Sequence, residues 1–200
     1  MDKKFAQFLC HALIKFLCSI KSMLVIVDNG KSAAEISKFI RIPSKIVKPT
    51  QVDGIKASAY ILSDGSMSNQ KANEKLIQKS ALPVLGIGVG GLFIGSTFGA
   101  KIKSVPKTER QERLMLKKPC PLTLDLKRMF TVHESYQHVL TDVPENFVIA
   151  ASSQKYEYEI IQEMSHPFFG VQFLPEKGGD GLRILDNFIK FVKMWEKYHK

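Results

Sequence analysis

Short apolar runs alternate with segments of helical periodicity through the first half of the sequence, and this alternation constrains the fold more than any other feature. The run MLVIVDNG, which starts at Met23, predicts a buried strand that ends in turn residues. Repeated strand–helix units favour an α/β fold with a mostly parallel open sheet and helices on both faces. After the first strand, the patterns predict a helix at 32–40, strands at 44–49 and 58–62, a helix at 69–80 and a strand at 83–87.

The second half has a more β-like pattern that ends in one long helix. Its apolar runs predict several strands, some of them antiparallel, so a small antiparallel portion should extend the sheet. The last eighteen or so residues carry apolar side chains at helical spacing, with Leu185 and Phe188 facing the core. The predicted elements are strands at 122–126, 130–132, 147–151, 158–161 and 169–173, and a helix at 181–198.

Residues 1–22 differ from the rest and are predicted to form an amphipathic helix that precedes a domain at 23–200. Their apolar side chains follow i, i+3, i+4 spacing from Phe5 to Ile20. Lys15 interrupts the apolar stretch, which is too short and too polar to span a bilayer. We expect this segment to dock, either on its own domain or on a partner, with binding at a membrane surface as a further reading.

Composition limits the class of protein. The formal net charge is +10, but the lysines are spread along the chain among acidic residues, so we do not expect nucleic acid binding as the main role. The three cysteines lack paired spacing, which predicts free thiols in a reducing, cytoplasmic compartment. His and Cys residues without ligand spacing predict no metal site, and no cofactor is expected.

The segment PVLGIGVGGLFIGSTFGAKI, residues 83–102, has the pattern of a strand, a tight turn and a helix. In many enzymes such a nucleophile elbow presents a reactive side chain at its apex. Here the apex residue is Gly88, which has no side chain. Because sites in parallel sheets form at the carboxyl ends of strands, the turns at 28–30, 63–66 and 86–91 should face one crevice.

Several stretches resemble, in order, the class I glutamine amidotransferases, and most of all the glutaminase subunit of GMP synthase. The similarity covers about residues 23–195 and implies a flavodoxin-like fold. The matching stretches are VIVDNG (25–30), DGIKASAYILSDGS (53–66), PVLGIGVGGLFIGSTFGAKI (83–102), VHESYQHVLTDVPENFVIAASS (132–153) and HPFFGVQFLPEKGGDGLRILDNFI (166–189).

The resemblance implies a catalytic mechanism whose side chains this sequence mostly lacks. In the family, an elbow cysteine attacks the glutamine side-chain amide, a histidine takes the thiol proton, and a glutamate two residues further on orients that histidine. Gly88 stands at the nucleophile position and Leu174 at the base position, while Glu176 matches the glutamate. We therefore expect a degenerate triad.

The resemblance also assigns the groups around the reaction centre. Backbone amides at the elbow and in a Gly-Gly-Pro turn would stabilise the oxyanion, and these positions are Val89 and Asp64-Gly65-Ser66. Asp64 would bring a negative charge to a site that holds an anion. Tyr136 stands where the family places a histidine, and His138 stands at an aspartate position.

The remaining crevice residues allow two readings. Asp28 and Asn29 could line the crevice or cap their own turn. Asp64, Ser66 and Glu176 could bind a ligand other than glutamine, or they could be remnants of the lost site, which is the reading we favour. Cys120, between two prolines, is expected in a surface connection away from the elbow, as an incidental thiol.

These residues predict a pseudoenzyme. The expected function is a non-catalytic or regulatory subunit that binds a protein partner, such as the ATP-pyrophosphatase (synthetase) subunit of GMP synthase. One alternative is an active glutaminase component that supplies ammonia for purine biosynthesis. Another is reuse of the scaffold to bind a ligand or nucleic acid.

Overall fold

The computed structural model describes residues 23–199, so the predicted N-terminal helix, with Cys10 and Cys18, lies outside the described residues. Nine strands and four α-helices are described in this range. In chain order they are β1 (Met23–Val27), α1 (Ala33–Phe39), β2 (Ser44–Val47), β3 (Ala57–Leu62), α2 (Gln70–Lys79), β4 (Val84–Ile87), α3 (Val89–Thr97), β5 (Ile102–Leu116), β6 (Met129–Leu140), β7 (Phe147–Ser152), β8 (Ile160–Glu163), β9 (Phe168–Val171) and α4 (Gly181–Tyr198).

All nine strands form one mixed sheet in the order β2-β1-β3-β4-β9-β8-β7-β5-β6. The first five strands in this order pair in parallel, and the other four continue the sheet by antiparallel pairing. The α/β fold predicted from strand–helix alternation is confirmed, and its parallel strands are joined by an antiparallel part that is larger than the small portion predicted. The antiparallel part includes the two longest strands, β5 and β6.

Two hydrophobic cores lie on opposite faces of the sheet. One contains buried residues of α1 and α4, such as Ile36 and Phe188, against alternate residues of the central strands. The other contains buried residues of α2 and α3, such as Ile77 and Phe93. Because strand side chains alternate between faces, the central parallel strands are buried on both sides. The prediction of helices on both faces is therefore confirmed.

Two parts of the second half differ from the sequence prediction. No strand was predicted at 102–116, because β5 is rich in Lys, Arg and Glu and contains Pro106. It pairs along β6 nevertheless, with a register shift between Ser104 and Thr108. The predicted strand at 122–126 is wrong: Pro121–Thr123 forms a 3₁₀ turn, and Asp125 has a positive φ of 60°.

The outer edge of β6 contacts the segment that follows β9, so the sheet curls. The amide of Leu174 donates to His133 O at 2.9 Å, and the amide of Asp180 donates to Thr131 O at 3.2 Å. The Asp180 carboxylate accepts a hydrogen bond from the Thr131 amide at 2.9 Å. These contacts fix residues 174–180 beside the carboxyl ends of β4 and β9, which is where the candidate site lies.

Candidate active site

The elbow joins β4 directly to α3, and Gly88 is its apex. Gly88 has φ 55° and ψ −118°, a backbone conformation that residues with a side chain rarely adopt. Its amide donates to Val171 O at 2.9 Å, and its carbonyl accepts from the amides of Gly91 and Leu92. These bonds hold the tight turn in place without any side chain at the apex.

The three predicted turns meet at the carboxyl ends of β1, β3 and β4. Gly30 and Gly65 form an isolated bridge between the first two turns, and the amide of Lys31 donates to Asp64 O at 3.1 Å. The second turn contacts the elbow, because Asp64 Oδ1 accepts a hydrogen bond from the Val89 amide at 3.0 Å. The structure therefore brings the turns together as the parallel topology predicts.

Asp64 occupies the space directly above the apex of the elbow. A Cβ added at Gly88 would lie 2.6 Å from Asp64 Oδ1 and 2.9 Å from its Cγ, well inside van der Waals contact. The Asp64 side chain is also buried and bonded to the first backbone amide of α3. This helix N-terminus attracts negative charge, which stabilises the carboxylate where it lies.

Leu174 and Glu176 lie in the segment after β9, and both are 5% exposed. Leu174 belongs to the core that contains α1 and α4. Neither oxygen of the Glu176 carboxyl has a hydrogen-bond partner of normal geometry among the described residues. Burial raises the pKa of Glu176, which contact with the Ser32 hydroxyl opposes. Glu176 is thus a buried acid with no imidazole at position 174.

A cleft of about 70 Å³ opens beside the elbow, between the turns and the β5–β6 hairpin. Of the predicted site residues, Asp64, Gly65, Val89 and Tyr136 line it. Burial raises the pKa of the Tyr136 hydroxyl, and the neighbouring Glu134 adds to this effect. His138, which the resemblance assigns near the reaction centre, also lines the cleft. The sequence patterns do not indicate the other polar residues of the lining, which are Lys31, Lys107, Ser135, Gln137 and Gln172.

Three predicted crevice residues use their polar groups within the turns. Asp28 Oδ1 accepts a hydrogen bond from the Gly30 amide at 2.9 Å, and Ser66 Oγ accepts one from the Ser68 amide at 3.2 Å. Asn29 is buried, and its side chain bonds to Ser63 O and to Asn73. The turn-cap reading therefore describes Asp28, whereas the side chain of Asn29 joins its turn to the neighbouring turn and to α2.

Cys120 is buried, which corrects the expectation of a surface position. It belongs to the hydrophobic core on the α4 side of the sheet. Burial raises the pKa of its thiol, with weaker opposition from hydrogen bonds to Thr123 and Leu122. A buried thiol with a raised pKa is a poor nucleophile at neutral pH.

The fold and the elbow together define an α/β protein whose site lies at the carboxyl ends of parallel strands, in the arrangement of enzymes that use an elbow nucleophile. The family model for class I glutamine amidotransferase matches residues 3–191. The chain therefore belongs to the class I glutamine amidotransferase family, as the sequence motifs predict.

Several curated relatives are glutamine-hydrolysing subunits of GMP synthase. The subunit from Pyrococcus abyssi is 31% identical over 183 residues, which cover 84% of this chain and 97% of that protein. The subunit from Methanocaldococcus jannaschii is 30% identical over 184 residues, covering 84% of this chain and 96% of that protein. The chain is thus similar to the glutaminase subunit of GMP synthase over 84% of its own length and nearly the whole length of those relatives.

Solved structures agree on the fold. A protein of Thermoplasma acidophilum, described as one of the subunits of GMP synthase, superposes with a TM-score of 0.81 at 24% identity, covering 89% of this chain and 97% of the other. A glutamine amidotransferase from Thermotoga maritima gives a TM-score of 0.66 at 16% identity, covering 88% of this chain and 84% of the other. No helix within residues 23–199 is long and apolar enough to cross a membrane.

Proposed function

We propose that this chain is a glutamine amidotransferase-like subunit that does not hydrolyse glutamine and acts as a non-catalytic or regulatory component. The observation that carries the proposal is at the apex of the elbow. Gly88 offers no nucleophile, and the Asp64 carboxylate fills the space that a side chain at position 88 would enter. The family reaction begins with a thiolate at this point, and its loss costs many orders of magnitude in turnover.

The bond between Asp64 and Val89 supports the same proposal. Amide hydrolysis through a thioester requires backbone donors that are free to bind the developing oxyanion. Here the Val89 amide already donates to Asp64 Oδ1 at 3.0 Å. An oxyanion in this place would have to displace a carboxylate or lie beside it, and both cost free energy because like charges repel.

The base position gives a further reason. A neutral imidazole takes the thiol proton in the family mechanism, and a carboxylate orients it. Leu174 cannot accept a proton, and the buried Glu176 therefore has no imidazole to orient. Burial also raises the pKa of Glu176, which disfavours the charged form that would stabilise an imidazolium. The nucleophile at position 88, the free Val89 amide and the base at position 174 are all needed, so restoring only one of them would leave the site inactive.

A catalytic glutaminase is the second candidate, and the relatives favour it. Curated proteins about 30% identical to this chain carry the description glutamine-hydrolysing. Such activity would need a nucleophile from elsewhere in the chain. Within residues 23–199 the cysteine is Cys120, whose burial in the core and raised thiol pKa argue against this role.

The proposed partner is the ATP-pyrophosphatase subunit of a GMP synthase, within purine nucleotide synthesis in the cytoplasm. The relatives are each described as one subunit of GMP synthase, which supports an assembly with a second subunit. The chain carries a formal charge of +10, and an acidic surface on the partner would attract it. The amphipathic pattern of residues 1–22 offers an additional docking element.

The test is ammonia release from glutamine by the purified protein, alone and with the ATP-pyrophosphatase subunit from the same source. The glutamine-hydrolysing GMP synthase subunit of Pyrococcus abyssi serves as the positive control for the assay. We expect no release above buffer in either case, and formation of a complex with the synthetase subunit. Glutamine hydrolysis that a thiol-blocking reagent abolishes would refute the proposal and establish the second candidate.

A further inference from the structure

Two glutamate side chains are fully buried between β6 and the segment that enters β8. Glu134 lies within β6, and Glu159 directly precedes β8; both are 0% exposed. No N–H or O–H group of the other described residues donates a well-aligned hydrogen bond to any of their four carboxyl oxygens. The Ser153 hydroxyl lies near Glu159, but its proton is directed to Tyr156 O at 3.3 Å.

The guanidinium group of Arg110 is the cation that pairs with acidic side chains in this cluster. Arg110, opposite Glu134 on β5, lies 2.8 Å from Glu134 Oε2 through its Nη2 atom, and its Nε donates to Glu112 Oε2 at 2.7 Å. Three carboxyl groups therefore share one paired cation. The other charged or titratable groups that face the pair are Lys155, Tyr136 and Tyr156.

The carboxyl groups of Glu134 and Glu159 lie within hydrogen-bonding reach of each other, and this contact has a chemical requirement. An ionised carboxylate only accepts hydrogen bonds, so two carboxylates in contact repel, whereas a carboxyl and a carboxylate form a strong hydrogen bond. Burial raises the pKa of both Glu134 and Glu159, and Glu159 is raised the more. The full burial and the single cation point to one retained proton, on Glu159, with Arg110 balancing the charge on Glu134.

We propose that Glu134 and Glu159 form an acid pair that shares one proton at neutral pH, holds β6 against the entry to β8, and releases this contact when alkaline pH removes the proton. The contact adjoins the candidate site. Ser135 and Tyr136, which follow Glu134, line the cleft, and so does Gln172, whose amide donates to Glu159 O at 3.0 Å. Loss of the proton therefore loosens one wall of the cleft.

The effect on stability has a defined sign. The folded protein binds a proton at Glu159 that the unfolded chain loses above the ordinary glutamate pKa. The contribution of the pair is therefore complete in acid and declines as the pH rises toward the raised pKa of Glu159. E159Q mimics the protonated form, because its amide can donate to Glu134, and it should remove this decline.

The first experiment compares the free energy of unfolding of wild type, E159Q and E109Q between about pH 5 and pH 9. E109Q removes an exposed carboxylate from the same hairpin and controls for loss of charge. We expect wild type and E109Q to lose stability together toward alkaline pH, and E159Q to lose less. Parallel curves for all three proteins would overturn the proposal.

A second measurement does not depend on the folding of E159Q. Infrared spectroscopy detects the carbonyl band of protonated carboxyl groups, and E176Q removes the other buried acid with a raised pKa. We expect E176Q to keep such a band at neutral pH and to lose it at alkaline pH. Amide exchange of residues 134–138 should then rise relative to β1. A spectrum of E176Q without the band at neutral pH would refute the proposal.

Discussion

The contact between Gly88 and Asp64 makes each residue depend on the other. Asp64 can bond to the Val89 amide because nothing projects from position 88, and a side chain at position 88 would collide with Asp64 as it now lies. A return to cysteine at position 88 would therefore require Asp64 to be replaced or to rotate away and give up its bond to Val89. This coupling keeps the elbow in its present form.

The coupling predicts a specific cost for a single methyl group. G88A should lower the free energy of unfolding by about 2 kcal/mol, because Ala both strains the backbone at φ 55° and contacts Asp64. G99A is the matched control, since Gly99 also has a positive φ of 101° but an added Cβ there would meet nothing within 4 Å. Urea unfolding of both variants measures the difference.

A double-mutant cycle isolates the contact with Asp64. G88A and D64G together should cost about 1 kcal/mol less than the sum of the single variants, because D64G removes the atoms that the new Cβ would meet. Additive costs would mean that the Ala methyl is accommodated by other movements, and the proposed blocked apex would then lose its main support.

The buried carboxyl group of Glu176 predicts how the stability of the folded protein changes with pH. Because burial raises its pKa, the folded protein keeps a proton on Glu176 that the unfolded chain releases, so this contribution to stability falls as the pH rises above the ordinary glutamate value. E176Q should therefore unfold at a higher temperature than wild type at about pH 8, and the gap should close near pH 5. Thermal unfolding at several pH values measures this, and a constant gap would contradict it.

At the scale of elements, α4 holds the turn that replaces the predicted strand at 122–126. Asn187 is buried on α4, and its Nδ2 donates to Leu122 O at 2.9 Å and to Leu124 O at 2.7 Å. N187A leaves both carbonyls without this donor and should cost about 2 kcal/mol. D186A, at the neighbouring exposed position on the same helix, should cost less than about 0.5 kcal/mol by the same denaturant titration.

Local sequence patterns predict some of the strands and turns of this fold and miss others. The parallel strands are apolar on both faces, and each is followed by a turn and a helix, so local patterns predict them. β5 could not be predicted, because Leu114 is its one fully buried hydrophobic residue and the strand is set by pairing with β6. The turn at 121–123 depends on Asn187, which lies 65 residues from Leu122 in the sequence.

The candidate site likewise contains residues that local sequence patterns locate and residues that only long-range contacts place. Gly88, Asp64 and Val89 belong to turns that the strand–helix pattern locates, so their convergence follows from the parallel topology. Lys107, Gln137 and His138 come from the β5–β6 hairpin, whose position depends on a register shift and on contacts of β6 with residues 174–180. These are long-range contacts, and no local pattern in the sequence indicates them.

At the scale of the whole molecule, the described residues 23–199 form a nine-stranded sheet with a hydrophobic core on each face. The amphipathic helix predicted for residues 1–22 would carry an apolar stripe that, if unpartnered, would be exposed to solvent at a cost in free energy. Docking on the partner subunit and docking on the chain's own domain would both cover it, and they differ in what removal of the segment does to stability.

Removal of residues 1–22 therefore tests the proposed role of the segment in assembly. A chain that starts at Met23 should keep its unfolding temperature within about 2 °C of the full chain, because the described cores stay intact. It should bind the ATP-pyrophosphatase subunit at least tenfold more weakly, or about 1.4 kcal/mol, because the docking element is gone. A clear drop in unfolding temperature with unchanged binding would assign the segment to its own domain and place the partner interface within residues 23–199.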